Sequence, residues 1–151
     1  MKVADILAAK GSTVVTVQAS ETIGVLSERL RERRIGAAVV SSDGQAVEGV
    51  ISERDIAYGL AVHKGDLYTL PVSALMTKTV VTCSPGESVS NVASKMQIRN
   101  IRHIPVEDSG RLVGMISIRD VLNHRTDDLL QQTNMLRAFA SQAGRDPSQD
   151  R

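Results

Sequence analysis

Short blocks of hydrophobic and β-branched residues recur along the chain, and their order repeats once. The block Thr13–Val17 returns as Thr79–Cys83, a shift of 66 residues. After one residue is lost in the turn near Gly110, the shift becomes 65, and Gly49–Ile56 lies over Gly114–Val121. Because one gap suffices and the hydrophobic phase is kept throughout, the chain is interpreted as two tandem copies of one unit.

Each copy has a pattern that predicts the order β-α-β-β-α. Ile23, Leu26 and Leu30 lie at helical spacing, and Ser20, with Thr22 close behind, offers a helix N-cap. Further helices are expected to begin at Ser52 and Ser117. Blocks rich in β-branched residues, ended by turn residues, predict the strands: Thr13–Val17, Ala37–Val40 and Val47–Ile51 in the first copy, and Thr79–Cys83, Ile104–Val106 and Leu112–Ile116 in the second.

A unit of roughly 60 residues buries little apolar surface alone, so we expect the two copies to share a core. The predicted fold is α/β (α+β), with two β-α-β-β-α repeats packed sheet to sheet about a pseudo-twofold axis, plus a C-terminal helix. Clefts at such an interface are places where small-molecule sites form. The expected boundaries are 1–69 for the first repeat, 70–125 for the second, 126–143 for the helical extension, and 144–151 for a disordered tail.

The candidate chemistry lies where a strand runs into a helix, at Ser52-Glu53-Arg54-Asp55 and again at Ser117-Ile118-Arg119-Asp120. A helix start has free N–H groups that favour anions, and a carboxylate there can accept hydrogen bonds from the two hydroxyls of a ribose. The alternative is a capping box that satisfies only the helix itself. One isolated copy would favour the cap, but two copies at one structural position shift the balance toward a ligand.

The pattern Gly-apolar-apolar-Ser-x-x-Asp, present in both copies, resembles the signature of CBS domains, named after cystathionine β-synthase. The resemblance extends from about residue 3 to residue 125. It implies a module that binds an adenine compound between its repeats, AMP first and otherwise ADP, ATP, NAD or S-adenosylmethionine. By the same resemblance, Asp55 and Asp120 hold ribose hydroxyls, and Ser52 and Ser117 assist them.

The resemblance also implies where the adenine lies. It packs beside the first strand of a copy, at Thr13 to Val15 in one site and at Thr79 to Val81 in the other. The resemblance gives Ala37 and Ile104 as wall residues of the second strand.

Phosphate binding is expected from Arg102 and His103 in the second copy, because Arg offers a fork matched to phosphate oxygens and His adds a donor. The alternative is a solvated strand edge. The first copy has Gly36 and Ala37 at these positions, so the Asp120 site is expected to take a phosphate more readily. Two further arginines could reach phosphates or form surface ion pairs instead: Arg54 and Arg119.

Composition narrows the function classes. Among 151 residues the net charge is +1 and aromatics are 2%, so neither a nucleic acid nor a membrane surface is an expected partner. There is no signal-peptide pattern, and a cytoplasmic location is the expectation. Cys83 is the one cysteine and is expected to be a buried small hydrophobe. The three histidines lack metal-ligand spacing, no phosphate-binding glycine motif occurs, and no catalytic function is predicted.

The leading hypothesis is a regulatory module that reads nucleotide state and signals to an unknown protein in trans. The resemblance implies a homodimer, which the last helix would support through Leu129, Met135, Leu136 and Phe139. A second hypothesis is a dimeric scaffold whose clefts are vestigial, with the serine and aspartate residues acting only as caps. A third, a nucleotide hydrolase, would require turnover of the bound ligand.

Overall fold

The structure is a computed structural model, and it describes residues 1–144; of the tail expected at 144–151, residues 145–151 lie outside the described part. Two short 3₁₀ turns, Lys64–Thr69 and Val72–Ala74, join the copies around Leu70-Pro71. The helices are α1 (Val3–Lys10), α2 (Ile23–Arg33), α3 (Glu53–His63), α4 (Val89–Arg99) and α5 (Ile118–Ala143). The strands are β1 (Thr16–Val17), β2 (Ala37–Val40), β3 (Gly49–Ser52), β4 (His103–Asp108) and β5 (Arg111–Ser117).

The two copies form two small sheets. In the first, β2 is central and pairs in parallel with β1 and antiparallel with β3. In the second, β4 pairs antiparallel with β5, and His103 lies opposite Ser117. The mixed α+β fold and the C-terminal helix are therefore as predicted.

The first strand of each copy is shorter than predicted. Only Thr16–Val17 forms a strand in the first copy, and the second copy keeps a single parallel bridge between Cys83 and Val106. The reason is that the preceding residues, 13–15 and 79–81, line spaces between the copies. All six residues are β-branched, and the Val15 carbonyl still accepts the Val39 N–H at 3.1 Å.

The repeat is visible in helix ends as well as in sequence. The side chain of Thr22 caps α2, and its counterpart Ser88 caps α4. Both helices end in a left-handed residue, Arg34 with φ 53° and Asn100 with φ 51°. The cap of α2 is thus Thr22 and not Ser20, because the first helical residue is Ile23.

The N-terminal helix α1 was not predicted, and it packs on the second copy. Val3 and Ile6 are buried in the same apolar cluster as Ile104 and Ile116. The Val3 N–H donates to the Glu87 carbonyl at 2.9 Å. Val3 and Ile6 are three residues apart, as expected for one face of a helix, but α1 has only eight residues. So short a helix contains too few apolar positions for the amphipathic pattern to stand out in the sequence.

The segment that follows the first copy packs back onto it. Val72 is fully buried among Leu26 and Ile51, and its N–H donates to the Glu21 carbonyl at 2.8 Å. Each copy therefore receives a segment from beyond its own repeat. The boundaries 1–69 and 70–125 divide the chain by sequence repeat, and the packing crosses them.

The last helix, α5, begins at Ile118 and runs to Ala143, close to the predicted span. Val121 is its buried residue. The four apolar side chains expected at an interface are more than half exposed: Leu129, Met135, Leu136 and Phe139.

Candidate ligand-binding site

Two hollows lie between the copies, and each is lined by both of them. The first hollow, of about 380 Å³, joins the corner Ser52–Asp55 of the first copy to 79–81 and 101–103 of the second. The second hollow, of about 760 Å³, joins the corner 117–119 of the second copy to 13–15 and 35–37 of the first. Both volumes are in the range of small-molecule pockets. Each hollow is therefore formed by the strand-to-helix corner of one copy and the segment around the first strand of the other.

One wall is common to both hollows, and it consists of Gly36, Glu53, Arg102 and His103. The Glu53 N–H donates to the Gly36 carbonyl at 2.9 Å, and the equivalent bond runs from Ile118 to Arg102 at 2.8 Å. A Cβ added at Gly36 would lie 3.2 Å from Glu53 Oε1 and 3.3 Å from His103 Cε1. Gly36 thus lets a carboxylate and an imidazole stand close together between the hollows.

In the first hollow, the two oxygens of the Asp55 carboxylate differ in their hydrogen bonding. Oδ2 accepts the Ser52 N–H at 2.8 Å and the Ser52 hydroxyl at 3.1 Å. Oδ1 accepts no hydrogen bond from the part of the chain that the structure describes. The capping hypothesis and the ligand hypothesis are therefore compatible, because one oxygen caps α3 and the other is left for a ligand hydroxyl.

The equivalent carboxylate of Asp120 has a third partner. Its Oδ2 accepts the N–H and hydroxyl of Ser117 at 2.8 and 3.0 Å, and also Nζ of Lys10 at 2.7 Å. Burial acts to raise the pKa of Asp120, but the bonds from Lys10 and Ser117 together hold that pKa below its ordinary value. Asp120 lines neither hollow, whereas Lys10 lines the second.

Arg102 and His103 were assigned to the Asp120 site because they share its repeat. The structure places both in the first hollow with Asp55, and the common wall brings them to the second hollow as well. The reason is the crossed pairing of strands and corners, so the basis for favouring the Asp120 site does not hold. Burial lowers the pKa of His103, although Glu53 opposes this, and the imidazole is mainly neutral at pH 7.

The remaining predicted residues divide between the hollows. Arg54 lines the first hollow, and its Nη1 donates to the Asn100 carbonyl at 2.9 Å, a bond between the copies and not a surface ion pair. Thr79 and Val81 line the first hollow as well. The second hollow receives the others: Thr13, Val15, Ala37, Ser117 and Arg119.

Ile104 was expected to be a wall residue and is not one. It is fully buried in the core of the second copy, because neighbours on a strand face opposite sides and His103 takes the side toward the hollows. Sequence reasoning also missed Lys10, Glu53 and Gly36 as site residues. None of the three carries a motif that marks it, and Lys10 reaches the site only because α1 packs on the second copy.

Other candidate chemistry is sparse in the described residues. Cys83 is buried, and burial raises the pKa of its thiol to about 11. Across residues 1–144, no group of three or more His, Cys, Asp or Glu side chains is placed to hold a metal ion. Within the same range, no helix has the length and apolar character needed to cross a membrane.

Comparison with known proteins shows that this chain is similar to proteins that contain CBS domains. The family model described as "CBS domain" matches residues 3–61 and again 72–127. The CBS domain-containing protein YhcV of Bacillus subtilis is 30% identical over 108 residues, which are 72% of this chain and 76% of YhcV. Two further curated relatives are matched over 56% and 65% of their length. A CBS-domain containing protein of Agrobacterium tumefaciens has a crystal structure with a TM-score of 0.79 and 39% identity, over 82% of this chain and 92% of that one.

Two solved structures of similar chains contain ligands. The CBS domain protein PAE2072 of Pyrobaculum aerophilum, complexed with AMP, has a TM-score of 0.71 and 31% identity over 80% of this chain and 89% of that one. The CBS domain pair of protein MJ0100 is in complex with 5′-methylthioadenosine and S-adenosyl-L-methionine. Its TM-score is 0.75 and its identity 28%, over 85% of this chain and 98% of that one.

Proposed function

The chain belongs to the CBS domain family, and we propose that it is a regulatory module that binds an adenine nucleotide between its two copies without transforming it. The observation that carries this proposal is the composite construction of both hollows. A ligand in either hollow would touch a corner of one copy and a strand of the other.

The first hollow has groups suited to each part of AMP. Asp55 Oδ1 is left to accept from the ribose hydroxyls, and Val80 and Val81 offer an apolar surface for adenine. Arg102 and His103 can donate to a phosphate. Relatives with AMP, and with S-adenosyl-L-methionine and 5′-methylthioadenosine, support an adenine compound in this chain. AMP is the first candidate, with ADP, ATP, NAD and S-adenosylmethionine as the others.

The composite walls of the hollows couple ligand binding to the relative placement of the two copies. Because each hollow is built from both copies, the affinity for a ligand depends on how the copies are placed. A ligand shifts that placement only by its differential affinity for two arrangements. The output would pass to a protein partner in trans.

A homodimer is the second part of the proposal. The exposed apolar residues of α5 include Leu129 and Leu136, seven residues apart, and Phe139 three further on. This spacing is typical of a helix that packs against another helix. A second copy of the chain is the occupant that the family resemblance implies.

Calorimetric titration with AMP, ADP, ATP, NAD and S-adenosylmethionine tests ligand binding. We expect a dissociation constant on the order of micromolar for at least one of them. Failure of all five to bind would contradict the proposal and favour a dimeric scaffold with vestigial clefts.

The hydrolase hypothesis makes a different prediction. Prolonged incubation of the protein with ATP and with NAD, followed by chromatography, would reveal products if either ligand were turned over. We expect both compounds to be recovered intact. Turnover that scales with protein concentration and is lost in Asp55→Ala would contradict a purely binding role.

A further inference from the structure

The two hollows have the same architecture but different formal charges. The first is lined by two arginines, Arg54 and Arg102, and two carboxylates, Glu53 and Asp55, so its formal charges cancel. The second is lined by one carboxylate, Glu53, against five cationic side chains: Lys10, Arg31, Arg34, Arg102 and Arg119.

The groups beside the two proposed ribose-binding residues, Asp55 and Asp120, add to this difference in charge. In the second hollow Lys10 lies 2.7 Å from Asp120 and neutralises it. In the other copy Met76 takes the place of Leu7, since Met76 packs against Gly49 as Leu7 packs against Gly114, and the segment from there to Thr79 is shorter than the one that carries Lys10. Among the described residues, Asp55 has no ion-pair partner equivalent to Lys10. A phosphate chain in the first hollow would meet the carboxylates of Glu53 and Asp55, and Arg54, one of the two arginines that offset them, already donates to the Asn100 carbonyl.

The volumes of the two hollows also favour a ligand with more phosphates in the second hollow. The second hollow has about twice the volume of the first, 760 against 380 Å³. Additional phosphates need space as well as counter-charge, and a surplus of cations along a cleft raises the local concentration of a polyanion.

We propose that the two hollows divide the adenine ligands by charge, which rests on the proposed function. The second hollow binds a nucleoside di- or triphosphate through Arg34 and Arg119. The first hollow binds an adenine compound with one phosphate or none.

The test compares ATP with adenosine in calorimetric titrations of four proteins without magnesium. The proteins are the wild type, the second-hollow variant Arg34→Gln/Arg119→Gln, the first-hollow variant Asp55→Ala, and a control, Arg99→Gln/Arg111→Gln. The control loses the same two charges at exposed positions that line neither hollow.

We expect the second-hollow variant to bind ATP about 30-fold or more weaker, since two charge-assisted bonds are lost, and adenosine within about twofold of the wild type. The control should bind ATP within about threefold of the wild type, because exposed charges that make no contact contribute little. Asp55→Ala should lose adenosine affinity about tenfold and keep ATP affinity within about threefold.

Three results would overturn the proposal while leaving adenine binding intact. One is an equal loss of ATP affinity in the second-hollow variant and the control. Another is unchanged ATP affinity in the second-hollow variant. The third is an equal loss of ATP and adenosine in Asp55→Ala, which would place both ligands in the first hollow. Absence of binding by either ligand to the wild type would instead overturn the proposed function together with this inference.

Discussion

Lys10 and Asp120 form an ion pair, with Nζ 2.7 Å from Oδ2, that joins α1 to the start of α5. In the other copy Met76 takes the place of Leu7, packing against Gly49 as Leu7 packs against Gly114, and no counterpart of Lys10 forms an ion pair with Asp55 among the described residues. Two corners that are alike in sequence therefore differ in charge, and the difference comes from a helix outside both signatures.

The ion pair predicts a pH-dependent contribution to stability. The pKa of Asp120 is lower in the folded protein than its ordinary value. Its contribution is therefore present above the unfolded pKa of about 3.9 and is lost as the pH falls through the folded pKa. Lys10→Met should lower the free energy of unfolding by up to about 1 kcal/mol at pH 7, because the lysine is partly exposed. Urea unfolding of wild type and variant at pH 7 and at successively lower pH measures the difference.

We expect that difference to shrink toward zero as Asp120 becomes protonated. Lys78→Met is the control, since Lys78 is exposed and lines neither hollow. A difference between wild type and Lys10→Met that is constant down to the lowest pH would show that the lysine acts through packing and not through charge.

Asp55→Ala separates capping from ligand binding. AMP affinity should fall about tenfold or more, because bonds to a charged acceptor are lost, and the protein should lose about 1 kcal/mol of stability with the cap. Asp5→Ala is a matched control: Asp5 Oδ2 accepts the Lys2 N–H at 2.8 Å, the same cap geometry, but Asp5 lines neither hollow. Calorimetry and thermal unfolding measure both quantities. If Asp55→Ala bound AMP as tightly as Asp5→Ala does, Asp55 would be a cap and nothing more.

Arg102→Ala tests the phosphate contact. Affinity for AMP should fall about tenfold, whereas affinity for adenosine, which has no phosphate, should change less than about twofold. Arg99→Ala removes the same charge at an exposed position on α4 that lines neither hollow, and should leave both affinities near wild type. Equal losses for AMP and adenosine in Arg102→Ala would mean that the arginine supports the hollow without contacting phosphate.

The exposed stripe on α5 predicts a change of oligomeric state. Leu129→Glu/Leu136→Glu should convert a dimer to a monomer, because charged side chains in an apolar interface are costly to desolvate. Light scattering coupled to size-exclusion chromatography gives the mass directly. Asn134→Glu, exposed on the face of α5 opposite Leu136, is the control and should remain a dimer. A wild-type protein that is monomeric throughout the concentration range would refute the dimer.

The repeat and both strand-to-helix corners could be predicted because each depends on a local sequence pattern. Periodicity sets the phase of Ile23, Leu26 and Leu30 on α2, and the same serine and aspartate close each corner. These features need no knowledge of which segments meet in space. The two-copy fold, its C-terminal helix and the family were confirmed, whereas the cytoplasmic location stays a prediction.

What sequence could not show is which strand meets which corner. Arg102 and His103 are distant from Asp55 in the chain, yet they share a hollow with it because the corner of each copy faces strand residues of the other. Ile104 was misassigned for a related reason, since the side of β4 that faces the core depends on packing. Lys10 reaches Asp120 only because α1 packs on the second copy.

The most direct test is a crystal structure of the protein with AMP. Nucleotide density should lie in the first hollow, with the ribose hydroxyls in hydrogen-bonding distance of Asp55 Oδ1 and the adenine beside Thr79 and Val81. AMP bound outside both hollows, or an Asp55 carboxylate that faces bulk solvent with no nucleotide near it, would contradict a site shared between the two copies.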